Sequence, residues 1–349
     1  MNDLEIARQR LYNQRISGEK FKKTADVVKY LGAVQAQDYA GAKWALGLRL
    51  QKSSDSSIDK AMANGDIIRT HVLRPTWHFI TPADASWMID LTAPRINAAA
   101  GTWFRKLKLD NAVFRQSNDA LAKALEGGKQ LNRAEVMAVL NHAGVATDDL
   151  RFIHLLMRAE LDKVICSGGR QGKQFTYALF DDRVPPCTLP KEEALAELAL
   201  RYFISRGPAT LQDFTWWSGL ATVDAKLGLE IAKPHLAKMN VESREYWMAK
   251  DTPVINNKTP MAHLLPAFDE FAVAYKDRSA IVNPKYLKLA LHVIFNPSII
   301  VNNQVVGTWK RTVKKDAVEI ILNPFGKLNK IQAGAVEIAA GKYRKFIQP

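Results

Sequence analysis

Three times along this chain, amphipathic helices give way to short strands near a turn. Helices followed by a β-hairpin is the order of a winged helix, a helix-turn-helix with a hairpin attached. In the first copy the residues predict helices over 3–15, 24–34, 41–50 and 56–64. Val27, Val28, Leu31 and Val34 share one face of the second. Asn64-Gly65-Asp66 then turns the chain into strands over 67–73 and 76–81, with Arg74-Pro75 as the turn between them. The second copy opens at Pro82, with helices at 111–126 and 133–142. Its most amphipathic helix, 149–162, aligns Phe152, Leu155, Leu156 and Ala159, and strands flank the Gly-rich tip of KVICSGGRQGKQFTYALF. The third begins at Lys191. Residues 210–232 read as helix, Gly219 turn and helix, and VESREYWMA supplies a strand. Beyond 260 come short strands (298–302, 304–310, 317–322) and a helical end at 328–340. The expected fold is therefore α+β, mainly α. It has three tandem winged-helix units at 1–81, 82–185 and 186–260, and a small β-rich C-terminal cap at 261–349.

Charge narrows the partner. Of 349 residues, 49 are Lys or Arg and 35 Asp or Glu, a net charge of +14. A surplus of this size points to a polyanion. It is uneven: residues 1–80 hold 13 basic and 8 acidic side chains, and residues 301–349 hold 9 and 3. The two ends of the chain are thus expected to share a basic face. Two cysteines, Cys166 and Cys187, are too few for a disulfide framework and lack metal-ligand spacing, which suits a reducing cytoplasm. The N-terminus has no apolar signal region, and no apolar run approaches a membrane span. Internal repeats that supply several DNA contacts from one chain favour a monomer.

The usual catalytic signatures are missing. The seven histidines form no tight metal-binding pair, no GxSxG elbow is present, and no metal or cofactor is expected. SGGRQGKQ fails as a phosphate loop, because Ser167 stands where Gly is needed and no Ser or Thr follows Lys173. It reads better as a wing tip offering Arg170 and Lys173 to phosphates. Cys166, between apolar neighbours on a strand, reads as core.

What remains is Gln35-Ala36-Gln37, two glutamines in an apolar setting where a helix runs out. Glutamine is no strong acid, base or nucleophile, but it can orient a water and donate to developing charge. Such a site suits a reaction whose leaving group is already activated. Nearby, RTHVLRPTWH alternates cations and aromatics, as a nucleic-acid contact strand does, and as a half-buried hairpin also does.

LGAVQAQDYAGAKWALGLRL, IIRTHVLRPTWHFI, RGPATLQDFTWWSGL, HLLPAFDEFAVAYKDR and VVGTWKR together resemble the winged-helix DNA glycosylases of the AlkZ-like and YcaQ-like family, from about residue 5 to about 345. The resemblance implies three tandem winged helices arranged around duplex DNA, and a catalytic Gln-apolar-Gln motif matched here by Gln35 and Gln37. It implies excision of alkylated purines and unhooking of interstrand crosslinks, in a bacterial, nucleoid-associated setting in the cytoplasm. An N7-alkylated purine is cationic, so its glycosidic bond is already labile. Placing a water and stabilising an oxocarbenium-like transition state is enough. No catalytic lysine is needed, so a monofunctional enzyme is expected, although Lys43 stands close in sequence as an amine.

Arg69, Arg74, Lys310 and Arg311 are candidate phosphate contacts, and His71, Trp77 and Trp309 candidate groove or stacking contacts, although tryptophans at such positions are more often core. Asp269 and Arg278 are expected to pair as a structural bridge, and the basic segment PKYLKLALH is a candidate for reaching the minor groove. The alternative is a non-enzymatic winged-helix regulator, which would depend on Arg69 and Arg74 for affinity and not on Gln37.

Overall fold

The computed structural model describes residues 1–148, 150–255, 261–313 and 317–348. The helix start expected at 149 and the unit boundary expected at 260 lie outside them. In chain order the helices are α1 (Asp3–Asn13), α2 (Thr24–Leu31), α3 (Tyr39–Gly47), α4 (Asp55–Asn64), α5 (Pro82–Lys106), α6 (Asn111–Leu125), α7 (Arg133–His142), α8 (Arg151–Leu161), α9 (Lys191–Arg206), α10 (Leu211–Ser218), α11 (Thr222–Ala232), α12 (Glu270–Val273), α13 (Leu287–His292) and α14 (Lys330–Ile347). The strands are β1 (Val34–Gln35), β2 (Ile68–Val72), β3 (Arg74–Ile80), β4 (Leu131–Asn132), β5 (Ile165–Gln171), β6 (Gln174–Leu179), β7 (Leu236–Val241), β8 (Arg244–Ala249), β9 (Ala262–Leu265), β10 (Ser298–Val301), β11 (Gln304–Val313) and β12 (Val318–Pro324). Helix and strand are mixed, with helix predominating.

The chain forms two compact units. One gathers Met1–Ile58, Leu195–Trp217 and Ala221–Pro349; the other is Asp59–Ala194 with Ser218–Leu220.

In the first unit β9 to β12 form an antiparallel sheet in the order β12-β11-β10-β9. Ala7, Leu11 and Ile16 pack into one core with Leu265, Phe271, Ile281 and Ile300. Trp44 of α3 packs edge-on against Tyr343 and at a tilt against Phe346 of α14, with ring centroids 5.2 and 5.1 Å away. That contact brings the two basic ends of the chain into one body. β7 and β8 pair along six residues each. Helix α2 is shorter than the expected 24–34. Gly32, at φ +75, stops it in a left-handed conformation that a β-carbon would resist.

The second unit carries two hairpins. β2 and β3 turn at Leu73 (φ +65), so Arg74 already belongs to β3, one residue earlier than the Arg74-Pro75 turn expected. The register shifts after His71 and leaves Pro75 and Thr76 without partners on β2, which accommodates the N–H that proline lacks. β5 and β6 meet around Gly172 (φ +59). A bulge lies between Ser167 and Arg170, and a β-carbon on Gly168 would collide with the Thr176 hydroxyl and with Gln130.

Candidate functional site

The glutamines lie in the connection between two helices, not at a helix end. After α2 stops at Leu31, the chain runs extended through β1. Gln35 is half-buried, Ala36 is fully buried and Gln37 is exposed. Alternation in β1 buries Val34 and leaves Gln35 half-exposed, and beyond the strand the buried Ala36 anchors the chain while Gln37 stays exposed. Asp38 then caps α3 by accepting the Gly41 N–H at 3.1 Å.

What holds this connection rigid is a buried ion pair. Arg206 and Glu270 meet at 2.7 Å, each 0 % exposed. Glu270 accepts Arg206 Nε and Nη2 (3.1 and 2.7 Å) and Trp217 Nε1 (3.0 Å) on Oε2, and the Gln35 backbone N–H (2.9 Å) on Oε1. Arg206 also donates to the carbonyls of Leu31 (2.6 Å) and Ala33 (2.8 Å). Three backbone groups between 31 and 35 are thus fixed by one charge pair. In a low-dielectric interior each charge needs such partners to offset its desolvation.

The neighbouring acid is equally committed. Asp269 takes Arg49 in two hydrogen bonds (2.9 and 3.0 Å), and Arg49 also donates to Gln14 O (2.9 Å), Gln14 Oε1 (2.9 Å) and Ala45 O (2.7 Å). The expected Asp269–Arg278 bridge is therefore not formed. Arg278 Nε donates instead to the Ala272 carbonyl at 2.9 Å. Asp269 Oδ1 accepts the Phe271 N–H (2.9 Å) as well, so its partners are Arg49 and the first turn of α12. None of these partners was found from sequence. The available signal was two consecutive acids, Asp269-Glu270, between Phe268 and Phe271, a setting in which charge demands a cation.

Lys43, the amine near the glutamines, is held by a carboxylate. It is buried, with Nζ 2.6 Å from Asp55 Oδ2. Trp309 is also relocated: it is 1 % exposed, donates Nε1 to the Leu265 carbonyl (2.7 Å) and packs on Tyr343 (4.9 Å), so it presents no stacking face. Its place follows from the alternation of β11, which turns Val305, Gly307 and Trp309 inward. Lys310 is exposed and Arg311 half-buried, its guanidinium 5.5 Å from the Tyr343 ring.

In the second unit the hairpin residues converge. Arg69 lies between Trp77 (4.4 Å) and Phe175 (4.7 Å), and its N–H donates to Ser167 Oγ (2.7 Å). His71 is 3 % exposed. Its ring meets Glu160 and its N–H donates to Glu160 Oε2 (3.0 Å), so it faces a carboxylate and not a groove. Arg74 and Arg170 are half-buried, and Lys173 is exposed at the tip. Arg69, Trp77, Lys173 and Arg133 line a pocket of about 490 Å³. Burial of Tyr177, beside it, pushes its phenol up to about 12, with Glu160 adding to the effect. Cys166 is fully buried, and burial raises its thiol to about 12. Among the described residues no cluster of His, Cys, Asp and Glu is arranged to hold a metal ion, and no helix is long and apolar enough to cross a membrane.

Helix-then-hairpin stretches, a basic balance and a rigidly presented glutamine pair define a protein built to act on nucleic acid. The profile of the family described as "DNA glycosylase AlkZ-like" matches residues 28–346, and the chain belongs to that family of DNA glycosylases. It is 22 % identical over 351 residues to the interstrand DNA cross-link repair glycosylase of Streptomyces sahachiroi, covering 94 % of this chain and 92 % of that protein. The solved structure of the DNA glycosylase AlkZ from the same organism superposes with a TM-score of 0.80 at 19 % identity, over 99 % of this chain and 96 % of that one. Family membership decides for the enzyme over the non-enzymatic regulator, and DNA is its substrate.

Proposed function

We propose that this enzyme hydrolyses the N-glycosidic bond of N7-alkylated purines in duplex DNA and unhooks interstrand crosslinks, as a monofunctional glycosylase. The observation that carries the reading is the Gln35-Ala36-Gln37 connection, pinned by Glu270 and Arg206 with the Gln37 side chain exposed. The name of the Streptomyces sahachiroi relative, a cross-link repair glycosylase, supports the substrate class.

Each step balances without a cofactor. The side-chain carbonyls of Gln35 and Gln37 orient a water toward C1′ and stabilise positive charge as the C1′–N9 bond lengthens. The base departs with the bonding electron pair, which neutralises its alkylation charge, so it needs no proton. Water adds to C1′ and loses its proton to solvent, leaving an abasic site and an intact strand. No amine attack is required, and Lys43 is committed to Asp55.

The three helix-then-hairpin stretches are read as winged helices. Arg69, Arg74, Trp77, Arg170, Lys173, Lys310 and Arg311 are read as contacts to the duplex. His71 contributes by bracing its hairpin against Glu160, and Trp309 by supporting the strand that carries Lys310. The enzyme is read as a monomer working at the bacterial nucleoid.

A duplex with one N7-methylguanine, incubated with enzyme and then heated in alkali, tests the reading. Strand cleavage that requires both the lesion and Gln37 is expected. Cleavage unchanged in Gln37→Ala would overturn the assignment, and a crosslinked duplex tests unhooking in the same way.

A further inference from the structure

A second concavity lies in the first unit, separate from the glutamine connection. It is a pocket of about 730 Å³, the size of small-molecule sites, bounded by residues from 16–53, 262–264 and 339–348. Four lysines line it, Lys20, Lys52, Lys342 and Lys345, and among the described residues no Asp or Glu does. Lys52, Lys342 and Lys345 form no ion pair or side-chain hydrogen bond among the described residues, and their head groups sit on exposed side chains. The apolar wall includes Trp44, Leu264 and Phe346.

Two buried groups register the uncompensated charge. His263, 8 % exposed, lines the pocket with an Nε2 that has no hydrogen-bond partner among the described residues. Burial, then the charges of Lys20 and Lys342, hold its imidazole down to about 3. Lys20 donates to the carbonyls of Arg15 (2.6 Å), Ile16 (2.5 Å) and Leu48 (2.7 Å), yet burial, Arg49 and Lys342 bring it down to about 7. Like charges are gathered here from both ends of the chain, and of the described acids only Asp269, itself paired with Arg49, acts on His263 against them.

We propose that this pocket binds a phosphomonoester of mononucleotide size, its phosphate among Lys52, Lys342 and Lys345 and its ring body on the Trp44 and Phe346 side, with the His263 imidazole in the wall beside it. A dianion fits a site with several cations and no Asp or Glu among its described lining residues better than a single phosphodiester charge does. The ligand is either a free nucleotide or the 5′-phosphate at a DNA strand end, which share this chemistry.

The test is calorimetric titration of the whole protein with dAMP, inorganic phosphate and deoxyadenosine. Binding of dAMP is expected, with deoxyadenosine much weaker. Lys342→Gln with Lys345→Gln should weaken dAMP by about tenfold or more, since charge-assisted hydrogen bonds are lost. Because both lysines are exposed, the melting temperature of the variant should match the parent. In ¹⁵N-histidine spectra of the unmutated protein, the His263 Nε2 signal should move on adding dAMP. Competition with 5′-phosphorylated and 5′-hydroxyl oligonucleotides separates the sources: displacement by the first alone assigns a strand end, and displacement by neither assigns a free nucleotide. Absence of dAMP and phosphate binding, or undiminished binding by the variant with a static His263 signal, overturns the proposal.

Discussion

Glu270 and Arg206 face each other at 2.7 Å with neither side chain exposed, and the carboxylate that receives Arg206 on one oxygen receives the Gln35 amide on the other. The pair is a brace for the glutamine connection, because the guanidinium also holds the carbonyls of Leu31 and Ala33. Glu270→Gln leaves a buried guanidinium without its counter-charge and should cost about 3–5 kcal/mol in urea unfolding. Replacing both, as Glu270→Gln with Arg206→Met, should cost less than the sum of the single changes, and strict additivity would refute the coupling.

Gln37 is exposed, so removing its amide leaves packing intact. Single-turnover excision of N7-methylguanine should fall about 10²–10³-fold in Gln37→Ala, the size of effect seen when one preorganised dipole is removed from a site. Gel-shift affinity for the duplex should stay near that of the parent. A parallel loss of binding would place Gln37 in DNA recognition instead.

Lys43 is held by Asp55 as an ion pair and is buried. Reaction with a lesion duplex in the presence of borohydride should therefore trap no covalent protein–DNA complex. A trapped band that disappears in Lys43→Gln would make the enzyme bifunctional.

Arg69 and Lys173 line the same pocket but differ in what they touch. Arg69→Ala removes contacts to both Trp77 and Phe175 and should destabilise the protein by about 2 kcal/mol as well as weaken DNA binding. Lys173→Ala, at an exposed tip, should leave the melting temperature unchanged and lower the salt dependence of DNA binding by about one unit of log–log slope. Equal melting temperatures for the two variants would show that the stacking around Arg69 contributes nothing to stability.

His263 titrates near 3 in the folded protein because of burial and the charges of Lys20 and Lys342, whereas its ordinary value is 6.5. Between those values the unfolded chain binds a proton that the native state refuses. Its contribution is whole above about pH 6.5 and is lost as the pH falls toward 3. From pH 6.5 to 4 the parent should lose roughly 3 kcal/mol more than His263→Leu in urea unfolding. Parallel curves for the two proteins would contradict the depressed value.

Helices α6 and α7, the Gly-tipped hairpin of β5 and β6 and the Gly219 turn could be read from residue order, because helical spacing, strand alternation and turn chemistry act within a few residues. The glutamine pair could be singled out for the same reason: its apolar neighbours are adjacent to it. The burial of Trp309 follows the parity it shares with Val305, the core position that tryptophans on such strands more often take. Nothing local, however, could reveal that Gln35 is held by a residue 235 positions away, or that Asp269 answers Arg49 across 220 positions and not Arg278 nine positions on. Periodicity tells which face of an element is buried but not what buries it. Charge partners deep in a core are chosen by where the folded backbone places them, at a distance where sequence spacing carries no information. The lysine-rimmed pocket has the same origin. Composition placed a basic surplus at each end of the chain, and only the packing of α14 against α3 made those ends into one cavity.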